Sequence, residues 1–434
     1  MNDRYILSGG IVFDGTVFLR DGAILVDQGE IAAVGPSAAV RAHHAASTID
    51  VGGRLILPGL LDAHTHLYSS LAAGLVPDGP LDTFPRILEN LWWRLDAAHD
   101  EESVYHSAMA GIIDRLRCGV TTIFDHHASM GFVTGSLDVI AGACEEAGVR
   151  ATLCFEVSER AGLDFVMDQI EENVEFHESH REDPFLRGTM GLHANFTLSD
   201  ETLSEIAAAR PADMPIHVHA GEAREDLEFC RHGGFEGPVD RLQRYHLLDE
   251  DSILVHAVHL SNRDAAILRD TGPVVVLAPE SNANNGVGRP DASLIPRHLL
   301  GTDGMSPDIV ATLRARYLDQ HAAHEPPAGM SDGLSDALFG YRREVQQRFF
   351  PGTGDFTVGA RADIAVLDYI PVTPITPSTV IAHLVHGARQ GRAWLTAVDG
   401  RVLLMDGAVT FVDEERFRAH ARKVSARLHE RFHG

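Results

Sequence analysis

Hydrophobic and polar positions follow two different patterns along this chain. At both ends, short apolar runs are separated by glycine-containing turns, as in Asp14-Gly15, Asp21-Gly22 and Gln28-Gly29. This spacing is typical of β-hairpins. The apolar runs are 5–7, 11–13, 23–26 and 30–34 near the N-terminus, and 362–367, Val385 and 398–404 near the C-terminus. Because chain termini often lie close together, we predict one small β-sandwich domain from residues 1–57 and 359–415, followed by a C-terminal helix at 416–434.

Residues 58–358 show a different pattern, in which short apolar strands alternate with longer helix-compatible stretches. One such helix is predicted over 101–117, where apolar residues recur every fourth position and Gly119 supplies the stop. Strand and helix repeated eight times predict an α/β fold, a (β/α)8 TIM barrel. The predicted strands are 55–63, 120–124, 151–155, 189–192, 215–218, 252–255, 274–277 and 299–302.

Polar residues capable of metal binding or proton transfer follow nearly every predicted strand. In barrels of this kind the reactive groups lie at the carboxyl ends of the strands, so these residues are expected to share one rim. They are His64 and His66, Asp125-His126-His127, Glu156, His193, His217 with His219 and Glu222, His256, Glu280-Ser281-Asn282, and Asp303.

His64 and His66 are the strongest single feature of this rim. Residues two apart on a strand point to the same side, so both imidazoles can bind one cation. An isolated His-x-His pair is also common as an ordinary core or surface pair, and the other strand ends favour the metal site.

Composition and charge narrow the partners and the chemistry. A net charge of −26 argues against nucleic acid, no apolar run is long enough for a membrane span, and the first residues lack a secretory pattern, so we predict a cytoplasmic protein with a small-molecule substrate. The four cysteines lie far apart and are predicted to be reduced. Lys423 is the only lysine, which excludes Schiff-base chemistry and a P-loop.

The segments PGLLDAHTHL, GLHANFTLSDETL, IHVHAGE, ILVHAVHLS, PESNANNGVG, LGTDG and TVGARADIAVLDY together resemble the amidohydrolase superfamily. Within it they resemble the cytosine-deaminase-like branch of chlorohydrolases and aminohydrolases. HTHLYSSLAAGL, ILENLWWRLD and GTDGMSPD are most similar to the SsnA-type aminohydrolases, which are associated with purine catabolism.

The resemblance implies one divalent cation per chain, Zn²⁺ or Fe²⁺, bound by His64, His66, His219 and Asp303. His217 points the same way as His219, and His219 is chosen because family members place the ligand three residues before a glutamate, here Glu222. His217 is then expected to support another residue or to fill the interior. Relatives with two metals use a carbamylated lysine, which this chain lacks, so a second ion is not expected.

Catalytic roles are also implied by the resemblance. Glu222 would shuttle a proton, His256 would polarise the substrate oxygen, and Asp303 would orient water as well as bind the metal. The substrate-binding residues are predicted to be His193, Trp92 and Asn282, although the Trp92-Trp93 pair could instead anchor a loop. Asp125, His126 and His127 receive no role.

The predicted function is hydrolysis of a C–N bond in a small nitrogen heterocycle by metal-activated water, with deamination as the leading reaction. The alternatives are cyclic-amide or ring-opening hydrolysis in purine catabolism, and a non-catalytic metal-binding barrel. Relatives are commonly homo-oligomers, which the same resemblance predicts here.

A second metal motif lies at the C-terminus. Residues 429–433 read His-Glu-x-x-His, the pattern of zinc proteases. We interpret the match as accidental, because no third ligand follows and a terminal helix is expected to fray.

Overall fold

The computed structural model describes residues 4–322, 332–388 and 391–434. Its strands form three sheets within these ranges. The strands are β1 (Arg4–Phe13), β2 (Phe18–Asp27), β3 (Glu30–Pro36), β4 (Ser47–Asp50), β5 (Leu55–Pro58), β6 (Leu60–Thr65), β7 (Val120–His127), β8 (Arg150–Phe155), β9 (Leu186–Gly188), β10 (Met190–Ala194), β11 (Ile216–Ala220), β12 (Ile253–His256), β13 (Val274–Leu277), β14 (Leu299–Leu300), β15 (Ile364–Leu367), β16 (Ala393–Val398), β17 (Arg401–Met405) and β18 (Ala408–Val409).

Helices fill most of the connections between the strands of the central region. They are α1 (Ser37–His43), α2 (Phe84–Ile87), α3 (Trp93–Ala98), α4 (Glu101–Arg117), α5 (Ser136–Ala147), α6 (Val166–Ser179), α7 (Asp200–Ala209), α8 (Arg224–His232), α9 (Pro238–Arg244), α10 (Asn262–Thr271), α11 (Pro279–Asn285), α12 (Ile309–Ala322), α13 (Asp332–Ser335), α14 (Tyr341–Phe349), α15 (Val380–Ala382) and α16 (Glu414–His433). None of the helices in the described ranges combines the length and the apolar character that crossing a membrane requires.

Both ends of the chain contribute to one sheet of nine strands. Its order is β18-β17-β16-β15-β5-β1-β2-β3, with β4 paired to β1. The junction between the two chain ends is the antiparallel pair of β5 and β15, in which Ile56 lies opposite Val366. Apolar residues from both ends, among them Tyr5, Ile24 and Leu395, bury one core. The two end segments therefore share a sheet, as their similar patterns predicted.

The central region forms two parallel sheets, β6-β7-β8-β9 and β10-β11-β12-β13-β14. The predicted fourth strand corresponds to β9 and β10, which are consecutive and separated only at Thr189, so that this stretch pairs first with β8 and then with β11. Isolated parallel bridges connect the outer strands of the two sheets, Thr65 with Asp303 and Val157 with Leu192. The α/β class with parallel strands is therefore as predicted.

The first and last parallel strands are also joined through Asp62 on β6. Asp62 accepts a hydrogen bond from the Thr302 backbone N–H, just after β14, at 2.9 Å, and it forms an ion pair with Arg115 of α4, whose Nε lies at 2.9 Å. Both charged side chains are nearly inaccessible. Because an unpaired buried charge is costly, Arg115 stabilises Asp62 in the position from which it contacts Thr302.

Helix α4 matches its predicted bounds. Asp100 caps its N-terminus, because its side chain accepts a hydrogen bond from the Ser103 backbone N–H at 2.9 Å. The Ser103 hydroxyl accepts from the Asp100 backbone N–H at 2.9 Å, which completes a capping box. Val104, Ala108, Ile112 and Leu116 are buried against the strands. The four-residue spacing of apolar side chains therefore forms the inward face, as the sequence pattern indicated.

Several local predictions are wrong. Asp21-Gly22 lies inside β2 rather than in a turn, because Gly22 packs so tightly on Val12 that a side chain there would clash. Val385 lies in a π-helical turn, not in a strand. The end of α16 is packed rather than frayed, since Phe432 is buried with Tyr68 and Leu95. In each case a tertiary contact outweighs the local pattern.

Candidate active site

Four predicted metal ligands converge at the carboxyl ends of the parallel strands. His64 and His66 lie at the end of β6, and His219 lies on β11. The Nε2 atoms of His64 and His219 are 3.3 Å apart, and His66 Nε2 is 3.0 Å from Asp303 Oδ1. Asp303 follows β14 and is also 3.8 Å from His64 Nε2. Three imidazoles and one carboxylate therefore face a common point.

The far sides of the two β6 imidazoles are already engaged. His66 Nδ1–H donates to the His126 carbonyl oxygen at 2.6 Å, so Nε2 is the nitrogen that faces Asp303 and the site. His64 Nδ1 lies 2.9 Å from His217 Nε2, so a proton on Nδ1 leaves Nε2 of His64 free in the same way. Such contacts orient metal-binding histidines. His217 thus contacts the back of His64, whereas His219 faces the site.

The chemistry of this donor set fits a divalent cation. Burial, together with neighbouring histidines, lowers the pKa of His64 and His219 well below the usual value, so both imidazoles are neutral. Burial acts to raise the pKa of Asp303, but the contacts with His66, His256 and Ser281 together outweigh it and keep the carboxylate ionised. Neutral imidazoles with one carboxylate are typical ligands of catalytic zinc.

The backbone is strained at two of these strand ends. His256, Ala257 and Asp303 adopt positive φ angles of 74°, 52° and 55°. Non-glycine residues rarely adopt this conformation, and such strain occurs most often at functional sites. Asp303 is held there by its N–H, which donates to the His64 carbonyl oxygen at 2.9 Å. Gly301 lies so close to His64 that a side chain would clash with it.

Glu222 and His256 lie beside the ligand set. The nearest carboxylate oxygen of Glu222 is 3.5 Å from His256 Nε2, and its other oxygen accepts from Asn285 Nδ2 at 3.2 Å. Burial raises the pKa of Glu222 to about 7, so this group exchanges protons near neutral pH. His256 Nδ1–H donates a hydrogen bond to Asn282 Oδ1 at 2.9 Å, and the buried Nε2 makes no hydrogen bond.

A cavity of about 570 Å³, including its open mouth, lies over these groups. Phe84, Leu88, Trp92 and Trp93 form one side, which we call the aromatic wall. The other lining residues are mostly polar: His66, Tyr68, Asp96, Glu156, His193, His219, Glu222, His256, Ser281, Asn284, Asn285, Asp303, Gly304 and Met305. A flat apolar side opposite polar groups suits a planar heterocycle.

Two of the three residues expected to bind substrate lie in this lining, namely His193 and Trp92. His193 is oriented by Thr197, whose hydroxyl is 2.8 Å from Nδ1. Asn282 is placed differently, because it is buried behind His256 and does not line the cavity. Its neighbours Ser281 and Asn285 reach the cavity instead.

The Asp125-His126-His127 run, to which no role was assigned, hydrogen-bonds to residues next to the site. Asp125 Oδ1 accepts from the Leu67 backbone N–H at 2.7 Å, and His127 Nε2 lies 2.8 Å from the Ser129 hydroxyl. His126 faces Glu156 through Nδ1 at 3.1 Å, and its Nε2 faces two backbone carbonyls.

Sequence reasoning missed Asp96, Arg160 and Tyr68. Asp96 and Tyr68 line the cavity, and Arg160 bonds to Asp96 from behind. These residues lie in loops and short helices outside the strand ends. One signal was present, since Asp96 follows Trp93 by three residues, a spacing that places both on one helix face.

Comparison with known proteins agrees with this geometry. Residues 55–337 match the amidohydrolase family. A 5-methylthioadenosine/S-adenosylhomocysteine deaminase of Halobacterium salinarum is 29% identical, with 99% of each chain covered. An adenosine deaminase of Xanthomonas campestris with bound zinc shares the fold at a TM-score of 0.85 and 24% identity, over 98% of each chain. A triazine hydrolase variant also shares the fold, at a TM-score of 0.81 and 23% identity, over 98% of this chain and 100% of the triazine hydrolase chain.

The family match and the deaminase relatives confirm the resemblance to the amidohydrolases, and with it a metal-dependent hydrolase of C–N bonds. The family match covers more than half of the sequence and includes the strands that carry His64, His66 and His219. The chain belongs to the amidohydrolase family.

Proposed function

We propose that this protein deaminates a small amino-substituted nitrogen heterocycle by hydrolysis. The observation that carries the proposal is that Glu222 and His256 line the same cavity as the cation-binding set and the aromatic wall. A planar ring lying against Trp92 and Trp93 would present its amino-bearing carbon to these groups. The deaminases among the similar proteins support the same reaction class.

His64, His66, His219 and Asp303 would hold one divalent cation, which we propose to be zinc. When bound, the cation supplies Lewis acidity and lowers the pKa of water, so that hydroxide is available near neutral pH. Glu222 would accept a proton from the attacking water and donate it to the ring nitrogen. It would then take the proton of the newly attached hydroxyl and donate it to the leaving amine, which departs as ammonia. His256, oriented by Asn282, would face the oxygen added to the substrate, where an Nε2–H stabilises developing negative charge.

A single ion per chain is proposed because the neighbouring donors are already committed. His126, Glu156 and His193 also lie within metal-binding distance of other ligands. Glu156, however, is 2.5 Å from Arg160 Nη1, and His126 Nε2 points at the carbonyl oxygens of Leu192 and His217. A guanidinium on one ligand and backbone acceptors on another disfavour a second cation.

We further propose that the two parallel sheets form one eight-stranded barrel. The bridges at Thr65 with Asp303 and Val157 with Leu192 support this, since they join the sheets at both edges. Five statements stay predictions. They are the β-sandwich form of the chain-end sheet, the domain limits, the similarity to SsnA-type enzymes, the cytoplasmic location and the homo-oligomeric state.

The test begins with metal analysis of the purified protein, followed by an ammonia-release and mass-shift screen over purines, pyrimidines, pterins and their dihydro forms. We expect one equivalent of zinc per chain, ammonia release, and products in which an amino group is replaced by oxygen. Uptake of one water without ammonia would instead indicate ring opening and would overturn deamination. Two equivalents of metal would overturn the single-ion site.

A further inference from the structure

The cavity wall next to the proposed metal ligands carries a buried cluster of two acids and one base. Arg160 Nη1 donates to Glu156 at 2.5 Å, and Arg160 Nη2 donates to Asp96 at 2.8 Å. The three side chains are 5% exposed or less. Asp96 and Glu156 line the cavity, whereas Arg160 lies behind them. The cluster therefore presents its carboxylates, not its guanidinium, to a bound molecule.

From this arrangement we infer that the cavity selects uncharged or cationic heterocycles and rejects those with an anionic substituent. The inference rests on the proposed function and adds the charge class of the substrate. The lining residues within the described ranges include four carboxyl groups, Asp96, Glu156, Glu222 and Asp303, and no arginine or lysine. A divalent cation would balance the charges of Glu222 and Asp303, whereas Asp96 and Glu156 together carry one more negative charge than Arg160 supplies.

Both terminal nitrogens of Arg160 are used by the two carboxylates. Two acids and one base leave a net negative charge when all three are ionised. Carboxylates in the lining of a cavity favour an N–H or O–H donor on the substrate and repel a carboxylate or phosphate.

The test compares two ligands of similar size, of which the first is uncharged and is predicted to bind and the second is anionic and is predicted to be rejected. They are 9-(2-hydroxyethyl)adenine and 9-(carboxymethyl)adenine. Their binding to the zinc-loaded protein at pH 7.5 is followed by tryptophan fluorescence, because Trp92 and Trp93 line the cavity. We expect the hydroxyethyl compound to bind at least tenfold more tightly. Acetate at the same concentration controls for direct binding of a carboxylate to the cation.

The variant Asp96→Asn removes the charge with little change of shape and should reduce this preference severalfold. The matched control is Asp82→Asn, which removes the same charge from an exposed position on the neighbouring loop and should leave the preference unchanged. Equal binding of the two adenines, tighter binding of the carboxylate, or no binding of the hydroxyethyl compound would overturn the inference. Ammonia release in the substrate screen judges the proposed function separately.

Discussion

Glu222 shows how the surroundings of one side chain prepare it for proton transfer. It has lost most of its contact with water, and Asp303 lies near enough to add repulsion, so its pKa rises to about 7. His256 opposes this shift, and Asn285 donates a hydrogen bond at 3.2 Å. A carboxyl group that titrates near neutral pH can accept and return a proton without a large driving force.

Glu222→Gln tests this role directly. The amide keeps the size and the acceptor for Asn285 but cannot carry the proton, so we expect kcat to fall by roughly 10²- to 10⁴-fold. Metal content should stay at the parent level, because Glu222 is not among the proposed ligands. Turnover and metal analysis on the same sample check both statements, and unchanged turnover would remove Glu222 from the mechanism.

Helix α16 acts on the site at the level of whole elements. Phe432 packs with Tyr68 and Leu95, its carbonyl oxygen accepts from Arg94 at 2.7 Å, and the Arg94 guanidinium lies 5.0 Å over its ring. His429 Nε2–H donates to the Leu71 carbonyl oxygen at 2.9 Å. The His-Glu-x-x-His motif at 429–433 thus lies on a helix that holds the segment carrying Trp92 and Trp93.

Phe432→Ala should therefore loosen the aromatic wall. We expect a loss of about 3–5 kcal/mol in the free energy of unfolding and a severalfold higher KM, with kcat and metal content nearly unchanged, since the proposed ligands lie at strand ends. The control is Phe417→Ala on the same helix, where the ring stacks on His106 away from the cavity. A KM equal to that of the control would argue against this role of α16.

Across the whole molecule, several buried acids make stability depend on pH. Burial raises the pKa of Asp125 and Asp226 to about 6. An acid with a higher pKa in the folded than in the unfolded state binds more protons when folded. The contribution of these groups to the free energy of unfolding is therefore largest at low pH and falls as the pH rises from about 4 to about 6.

Asp226→Asn should flatten this dependence. Asp226 accepts from the Gly221 N–H at 2.7 Å, which the amide oxygen of asparagine can still do. Between pH 4 and 6 the metal-free parent should lose about 2 kcal/mol more than the variant, from the shift of this group alone. Urea unfolding across this range measures it, with the exposed Asp164→Asn as control; identical slopes in parent and Asp226→Asn would contradict the prediction.

Prediction from sequence succeeded where the chemistry is local to a strand or a helix. The four-residue period of α4, the strand runs and the histidines at their ends could all be identified, because side-chain direction follows directly from backbone period. Asn282 lies on α11 and faces His256 rather than the cavity, because the direction of its side chain depends on how that helix packs against β12. Asp96 and Arg160 were missed because they meet only when a loop of one strand folds over the next.

The sequence by itself determined the strand-and-helix alternation, the histidine and carboxylate set, and the absence of a barrel lysine. Those features depend on residue type and short-range spacing. Only the tertiary structure decided that His217 contacts the back of His64, that Asn282 orients His256, and that Arg160 is taken up by two carboxylates. These contacts join residues from different strands, and their distances depend on how the sheets and loops pack rather than on any pattern along the chain.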